Sequence, residues 1–406
     1  KKKKGGIMKE QEKLKIEILD NQFLKENGKF DKHNAALFAG KIAGICYSKN
    51  GYEKLKNESV ESTIKRVDLT LKNGHHSVYD HVNVNLNIKN IPKILAMVIN
   101  NEKQYTTSEK SLRYTKVSND SNIISDKEIK LYNKWIDIFK IKINSLYNLD
   151  SKKVEKLAME NARYLVTVFM PTEMIYTTSL RQINYIASWM TKYIEENQNS
   201  NDYFNQRLCK YMKDFVDELE SIDLLIPELM TNEKNRKLSL FNDSIINKTE
   251  IFDEIYSTNY KCSFVSLAQA QRHRTISYQM QLLDKKEYFI PPIIQNDNYI
   301  TNEWLDDINS LKEINPQGEL VLVNEKGTYD DFILKCKERL CTNAQLEVML
   351  NTKDTLEKYK QALELNDNYL KNDIINYTHG ARCTFKDYKC PNDCKFKHGK
   401  TLERKI

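Results

Sequence analysis

His81-Val82-Asn83-Val84-Asn85-Leu86-Asn87-Ile88 alternates apolar and polar residues without a break. Successive side chains of a strand point to opposite faces, so this period of two predicts an antiparallel strand buried on one face. Pro92 closes the pattern, and residues 94–99 open a helix. Upstream, residues 31–43 read as a helix start, with small and apolar residues at helical spacing after Asn34, and residues 48–59 read as a polar linker. Downstream, residues 127–149, 152–169 and 176–196 give long amphipathic helical patterns.

The same succession returns later in the chain. A polar stretch of helical character, 197–248, separates two halves; beyond it 251–265 is again strand-like and 266–278 again turns helical. Further helical runs cover 330–350 and 355–376. The recurring unit is far longer than a solenoid repeat, which points to two similar domains. The expected fold class is α+β, with two domains, each an antiparallel sheet flanked by long helices, forming an intrachain pseudo-dimer. The boundaries read as a tail over 1–10, a first domain over 11–196, a helical linker over 197–248, a second domain over 249–378 and a small C-terminal segment over 379–406.

A chain of 406 residues has ample length for two such cores. Its 40% hydrophobic and 29% charged residues are those of an ordinary folded protein. A net charge of +7, spread along the chain, does not by itself argue for nucleic acid and suits a small anionic substrate equally well. Lys, Asn and Glu interrupt every hydrophobic run, so neither a signal peptide nor a membrane span is read, and a cytoplasmic protein is the default. Five of the eight cysteines are scattered; Cys383, Cys390 and Cys394 crowd the C-terminus, where a metal is a better reading than a disulfide framework.

Gln269-Ala270-Gln271-Arg272-His273-Arg274-Thr275-Ile276-Ser277 sets two guanidinium groups around an imidazole. On a helix, Gln269 and Arg272 share a face, as do His273 and Ser277. Like charges clustered after the apolar Phe264-Val265-Ser266-Leu267-Ala268 call for anionic partners, and phosphates or an electron-rich flavin ring suit forked guanidinium donors. Taken alone, the triplet is also what a solvated basic turn looks like.

In this setting the triplet resembles the signature of flavin-dependent thymidylate synthases, the ThyX family. That family continues the triplet with a serine and then N-E-x-S-x-R-Y. Here Ser277 is present, but Gln279, Met280, Leu282, Asp284 and Lys285 stand at the later positions. The first half shows the complement: Ser108-Glu109-Lys110-Ser111-Leu112-Arg113-Tyr114 resembles the continuation, while Asn101-Glu102-Lys103 replaces the triplet. Gly74-His75-His76-Ser77-Val78-Tyr79-Asp80-His81 is similar to the family's G-H-x-S/T-x-x-E-H entry into a strand, with Asp80 for Glu. Arg339-Leu340-Cys341-Thr342-Asn343-Ala344-Gln345-Leu346-Glu347 is similar to R-x-x-x-x-A-Q-x-E, whose arginine reaches the nucleotide; Met190 is the first-half counterpart, and Arg181 fits a neighbouring arginine position. Ser179 and Tyr185, and in the second half Thr328 and Leu334, replace the family's asparagines, so the resemblance does not carry those flavin contacts over.

The resemblance implies a tandem-duplicated chain that keeps one composite site. It implies reductive methylation at C5 of dUMP, or of a related pyrimidine nucleotide, with FAD carrying the hydride and NADPH and methylenetetrahydrofolate as co-substrates. Ser111, Arg113, Gln269 and Arg272 would hold the nucleotide phosphate, and Arg339 would contact the uracil and stabilise charge developing on its oxygen. His75, Glu109, Arg272, His273 and Arg274 would hold or orient the flavin, although His75 and His81 also read as structural strand-end histidines. Asp80 and Glu347 read as supporting or surface groups. Pairing of two chains would give a pseudo-tetramer. The alternative is a nucleotide- or nucleic-acid-binding descendant that has lost catalysis.

Cys383, Cys390, Cys394 and His398 form a Cys3His set within sixteen residues, resembling a shortened CCCH zinc finger and suited to a closed, structural zinc. Lysines 389, 395, 397 and 400 surround it, so contact with nucleic acid is conceivable, but a zinc staple is the simpler reading.

Overall fold

The computed structural model describes residues 13–111, 117, 123–231, 236–390, 394, 396 and 398–406. The helices are α1 (Lys32–Ala43), α2 (Gly51–Lys56), α3 (Val60–Lys72), α4 (Lys93–Ile99), α5 (Asp126–Leu146), α6 (Ser151–Ala162) and α7 (Leu180–Asn197). They continue with α8 (Tyr203–Ser221), α9 (Pro227–Met230), α10 (Phe264–Ala270), α11 (Asn298–Asn309), α12 (Tyr329–Arg339), α13 (Leu346–Leu365) and α14 (Lys371–Ile374). Two compact units form: Lys1–Lys110 with Pro171–Leu238, and Ser111–Met170 with Ser239–Ile406.

In the first unit, β1 (Lys15–Ile18), β2 (Asn83–Pro92), β3 (Thr106–Glu109) and β4 (Pro171–Ser179) make an antiparallel sheet of order β1-β2-β4-β3. The alternating stretch is β2: Val84, Leu86 and Ile88 are fully buried, and the asparagines between them are not. The strand starts two residues later than His81 because His76–His81 is a 3-10 turn. Its register shifts between Ile88 and Ile91, where Asn90 takes a positive φ of 56°, a conformation that asparagine tolerates better than most side chains.

Two sequence expectations for this unit are corrected. Residues 48–59 are not all linker; α2 lies within them and buries Leu55. Residues 176–196 are not all helix; β4 runs to Ser179, with Thr172, Met174, Tyr176 and Thr178 buried at period two. Threonines on the buried face hide that period from a hydrophobicity reading, while their branched Cβ favours the strand. Ser179 then caps α7 by accepting a hydrogen bond from Gln182 N (3.1 Å). The polar stretch from 197 contains α8, which buries Phe204, Leu208, Met212, Phe215 and Leu219 at spacings of three and four. The buried Asn184 of α7 fixes the chain beyond α8, accepting from Ile226 N (2.7 Å) and donating to Leu224 O (3.1 Å).

The second unit repeats the sheet. Strands β5 (Ile251–Phe252), β6 (Ile255–Ser263), β7 (Ser277–Leu282) and β8 (Leu320–Thr328) are antiparallel in the order β5-β6-β8-β7, the same arrangement of first, second, fourth and third. The helix expected over 266–278 stops at Ala270, and β7 begins at Ser277. Helix α6 ends at Ala162 rather than reaching 169, before the β-branched run Val166-Thr167-Val168. Helix α13 is continuous through the break read between 350 and 355.

Helices α5 and α6 belong to this unit. A capping box of Ser125 and Glu128 starts α5, and Glu128 Oε1 also accepts from Thr167 N (3.0 Å). Trp135 of α5 meets Trp304 of α11 edge-to-face at 4.8 Å. That geometry contributes about 0.5–1.5 kcal/mol beyond area burial. Asp307 receives both Trp135 Nε1 (2.8 Å) and Lys134 Nζ (2.6 Å). Among the described residues no helix is long and apolar enough to cross a membrane.

Candidate functional site

Strand β6 runs into α10 through Ser263, whose hydroxyl accepts from Ser266 N (3.2 Å). Helix α10 is short, so the basic triplet lies in the turn after it rather than on a helical face. His273 N donates to Ala270 O (3.0 Å) and Ile276 N to His273 O (3.2 Å). The turn buries His273 and leaves Arg272 and Arg274 exposed.

Helix α12 supplies the opposite wall. Thr328 and Asp331 close a capping box at its start, and Arg339 is its last residue. Arg339 Nε donates to His273 Nε2 at 2.7 Å, and Nη2 donates to Gln269 O at 3.3 Å. An arginine nitrogen can only donate, so His273 Nε2 must be the acceptor and the imidazole proton sits on Nδ1. Burial, reinforced by the charges of Arg339 and Lys335, lowers the His273 pKa from 6.5 to about 2. The ring is therefore neutral at any ordinary pH. Glu338 stands 3.7 Å from Nδ1, too far for a hydrogen bond.

One helical turn before Arg339, Lys335 pairs with Glu325 of β8 at 2.6 Å, both essentially inaccessible to solvent. Tyr256 OH and Tyr260 OH donate to the two oxygens of Glu325, each at 2.6 Å. Sequence reasoning missed this cluster. Its signal was a lysine and a glutamate on the inward positions of an amphipathic helix and a strand, visible only once both registers are known.

The A-Q-x-E motif proves to be framework. Gln345 caps α13 by accepting from Val348 N (2.9 Å), and its amide donates to Tyr164 OH (2.7 Å). Glu347, far from being a surface group, is buried; Ser263 N (2.7 Å), Ser263 Oγ and Tyr164 OH (2.9 Å) all donate to it. Burial raises its pKa against those hydrogen bonds, which lower it. The motif thus ties the start of α13 to the start of α10.

In the first unit, Asp80 is held from two sides: Ser179 Oγ donates to Oδ1 (2.5 Å), and Arg181 Nη2 contacts Oδ2 (2.5 Å). These residues, with Lys103, Gln104 and Gln182, line a cavity of about 460 Å³. Arg181 Nε is buried without a hydrogen-bond partner among the described residues. His75 is exposed at the head of the 3-10 turn and His81 is exposed at its end. The buried histidine is His76, bonded to Tyr185 OH (3.0 Å) and Leu71 O (3.1 Å). Glu109 is paired with Lys93 at 2.6 Å. Of the remaining predicted residues, Ser111 is half-buried in the second unit and Arg113 lies outside the described residues.

At the C-terminus, Cys383, Cys390, Cys394 and His398 line one cavity of about 640 Å³, together with Cys341. Among the described residues no three metal-capable side chains are gathered closely enough to hold an ion, so the closed tetrahedron expected from the spacing is not assembled. Among the described residues no two cysteines form a disulfide.

Residues 31–198 match the family model described as "Thymidylate synthase complementing protein". The chain is similar to the flavin-dependent thymidylate synthase of Clostridium tetani (strain Massachusetts / E88), 26% identical over 159 residues that cover 35% of this chain. It spans 64% of that relative's length. Two solved structures are also similar. One is the UMP/dUMP methylase PolB from Streptomyces cacaoi bound with 5-Br dUMP: 12% identity, 53% of this chain, 93% of that one, TM-score 0.33. The other is ThyX from Helicobacter pylori complexed with FAD and dUMP: 18% identity, 48% of this chain, 92% of that one, TM-score 0.27.

Proposed function

We propose that the chain, whose residues 31–198 match the thymidylate synthase complementing protein model, is a divergent ThyX-like, thymidylate synthase-like methyltransferase acting at C5 of dUMP or a closely related pyrimidine nucleotide. The supporting observation is the hydrogen bond from Arg339 to neutral His273. It couples two motifs that matter together only if a guanidinium must be aimed at a ligand. An imidazolium in that place would repel the arginine; the buried neutral ring accepts from it and fixes its direction.

Nucleotide-binding roles fall to Ser111, Arg113, Gln269 and Arg272 for the phosphate and to Arg339 for the uracil, where it stabilises developing negative charge. His273 acts by positioning Arg339. Flavin-holding roles fall to Arg272 and Arg274 and, in the first unit, to His75, with Glu109 as an orienting group. The first-unit cavity suits part of a flavin: it is polar, and Arg181 offers a buried Nε with no hydrogen-bond partner among the described residues. When bound, FAD would supply the hydride, with methylenetetrahydrofolate as carbon donor and NADPH as electron source.

The matching strand orders of the two sheets support descent of both halves from one duplicated domain.

The test is dTMP formation from dUMP with FAD, NADPH and methylenetetrahydrofolate. A yellow protein that turns over, and an Arg339→Ala variant at least about a hundredfold slower, are expected. A colourless wild type without turnover would overturn the reading in favour of a binding protein.

A further inference from the structure

Strand β8 and helix α12 are joined by an ion pair that solvent does not reach. Lys335 Nζ meets Glu325 Oε2 at 2.6 Å, with side chains 1% and 0% exposed. The sheet register builds the receiving end. Glu325 lies opposite Thr258 of β6, so Tyr256 and Tyr260, two residues to either side, reach its two oxygens diagonally. On its other flank Glu325 lies opposite Tyr278 of β7, and the Lys335 ammonium stands 5.7 Å from the centre of that ring. Strand β7 starts at Ser277, directly after the turn that holds His273. One lysine therefore ties α12 to β8 and to the strand that leaves the basic turn.

Stability does not account for the pair. Withdrawing two charges from water offsets most of their attraction, and apolar residues of similar volume are often as stabilising or more so. What an apolar contact lacks is direction. Packed methyl groups tolerate small slides, whereas an ammonium and a carboxylate fixed by two phenols meet in one position only. Lys335 and Arg339 are four residues apart and share a face of α12. A one-residue slip of the helix would carry Arg339 about 1.5 Å along the axis and turn it by about 100°, ending its hydrogen bonds to His273 and Gln269.

We propose that Lys335 and Glu325 are positioning residues: their buried pair sets the register of α12 and so aims Arg339 at the nucleotide. The register lock stands on the geometry alone; its effect on nucleotide affinity rests on the role proposed for Arg339. Without the lock, His273 Nε2 no longer has a fixed donor, and the ring is no longer confined to its Nδ1–H form.

Full-length protein carrying isotope-labelled histidine tests this by nitrogen NMR. His273, identified by its absence in His273→Gln, should appear as a neutral ring with its proton on Nδ1 and a hydrogen-bonded Nε2. Lys335→Met combined with Glu325→Gln removes the pair without stranding a charge. The ring should then become a mixture of tautomers, and dUMP should bind about tenfold more weakly, as for one lost charge-assisted hydrogen bond. Glu325→Asp, which keeps both charges and draws the carboxylate back, should produce a smaller change of the same kind. Trp135→Phe, which removes the indole bond to Asp307 and so weakens the unit elsewhere, should leave the His273 spectrum as it is. A wild-type ring protonated on Nε2, a wild-type spectrum in either folded pair variant, or an altered one in Trp135→Phe overturns the lock. An altered spectrum with unchanged dUMP affinity overturns its link to the nucleotide. Failure of the wild type to bind dUMP sinks the functional reading instead, while the His273 spectra still judge the lock.

Discussion

Arg339 and His273 are joined by a 2.7 Å hydrogen bond across 66 residues of sequence, with the arginine as donor and a neutral imidazole as acceptor. The pair turns a basic cluster into a directed one. Arg339 is fixed by a group that adds no charge, beside the exposed Arg272 and Arg274.

Stability should fall in mild acid because of His273. Its folded pKa, about 2, lies below the unfolded value near 6.5. Between those values the unfolded state binds a proton that the folded state refuses, so stability present above pH 6.5 is lost as pH falls. At pH 5.5 the loss should be about 1 kcal/mol. Urea titrations at pH 7.5 and 5.5 should show this drop in the wild type and a smaller one in His273→Gln; equal drops would contradict the assignment.

Lys335→Met should be severely destabilising. It leaves the fully buried Glu325 carboxylate without its cation, at a cost of about 3–5 kcal/mol. Adding Glu325→Gln removes the stranded charge and should recover part of the loss. Thermal and chemical denaturation of the single and double variants will check this; a single variant as stable as wild type would refute it.

Glu347→Ala should cost about 2–4 kcal/mol, since it strands Ser263 N, Ser263 Oγ and Tyr164 OH as donors in the interior. Glu347→Gln keeps one acceptor oxygen and should lose less. If both variants lose the same amount, side-chain bulk rather than hydrogen bonding holds the junction.

Arg181→Met should lower flavin retention with little effect on folding. The residue is partly exposed and its ion pair with Asp80 adds little stability, whereas its buried Nε is an available donor at the proposed cofactor cavity. The ratio of flavin to protein absorbance after gel filtration reads the outcome; full retention would remove the cavity from the cofactor site.

Sequence alone determined the features carried by local periodicity and by short motifs. Strand β2, helix α4 and the start of α1 were legible because burial on one face writes itself into every second or every third to fourth residue. The triplet and the R-x-x-x-x-A-Q-x-E stretch were legible as motifs. Strand β4 was not, because threonines at 172 and 178 occupy buried positions, and β7 was lost inside a helix drawn too long. The tertiary structure alone decided what the motif residues do. Gln345 and Glu347 became framework because Ser263 and Tyr164, far away in sequence, reach them. His273 became neutral because folding removes it from water and sets two cations beside it. Charge state and hydrogen-bond direction depend on desolvation and on partners brought from distant segments, and neither is written in the spacing of residues along the chain.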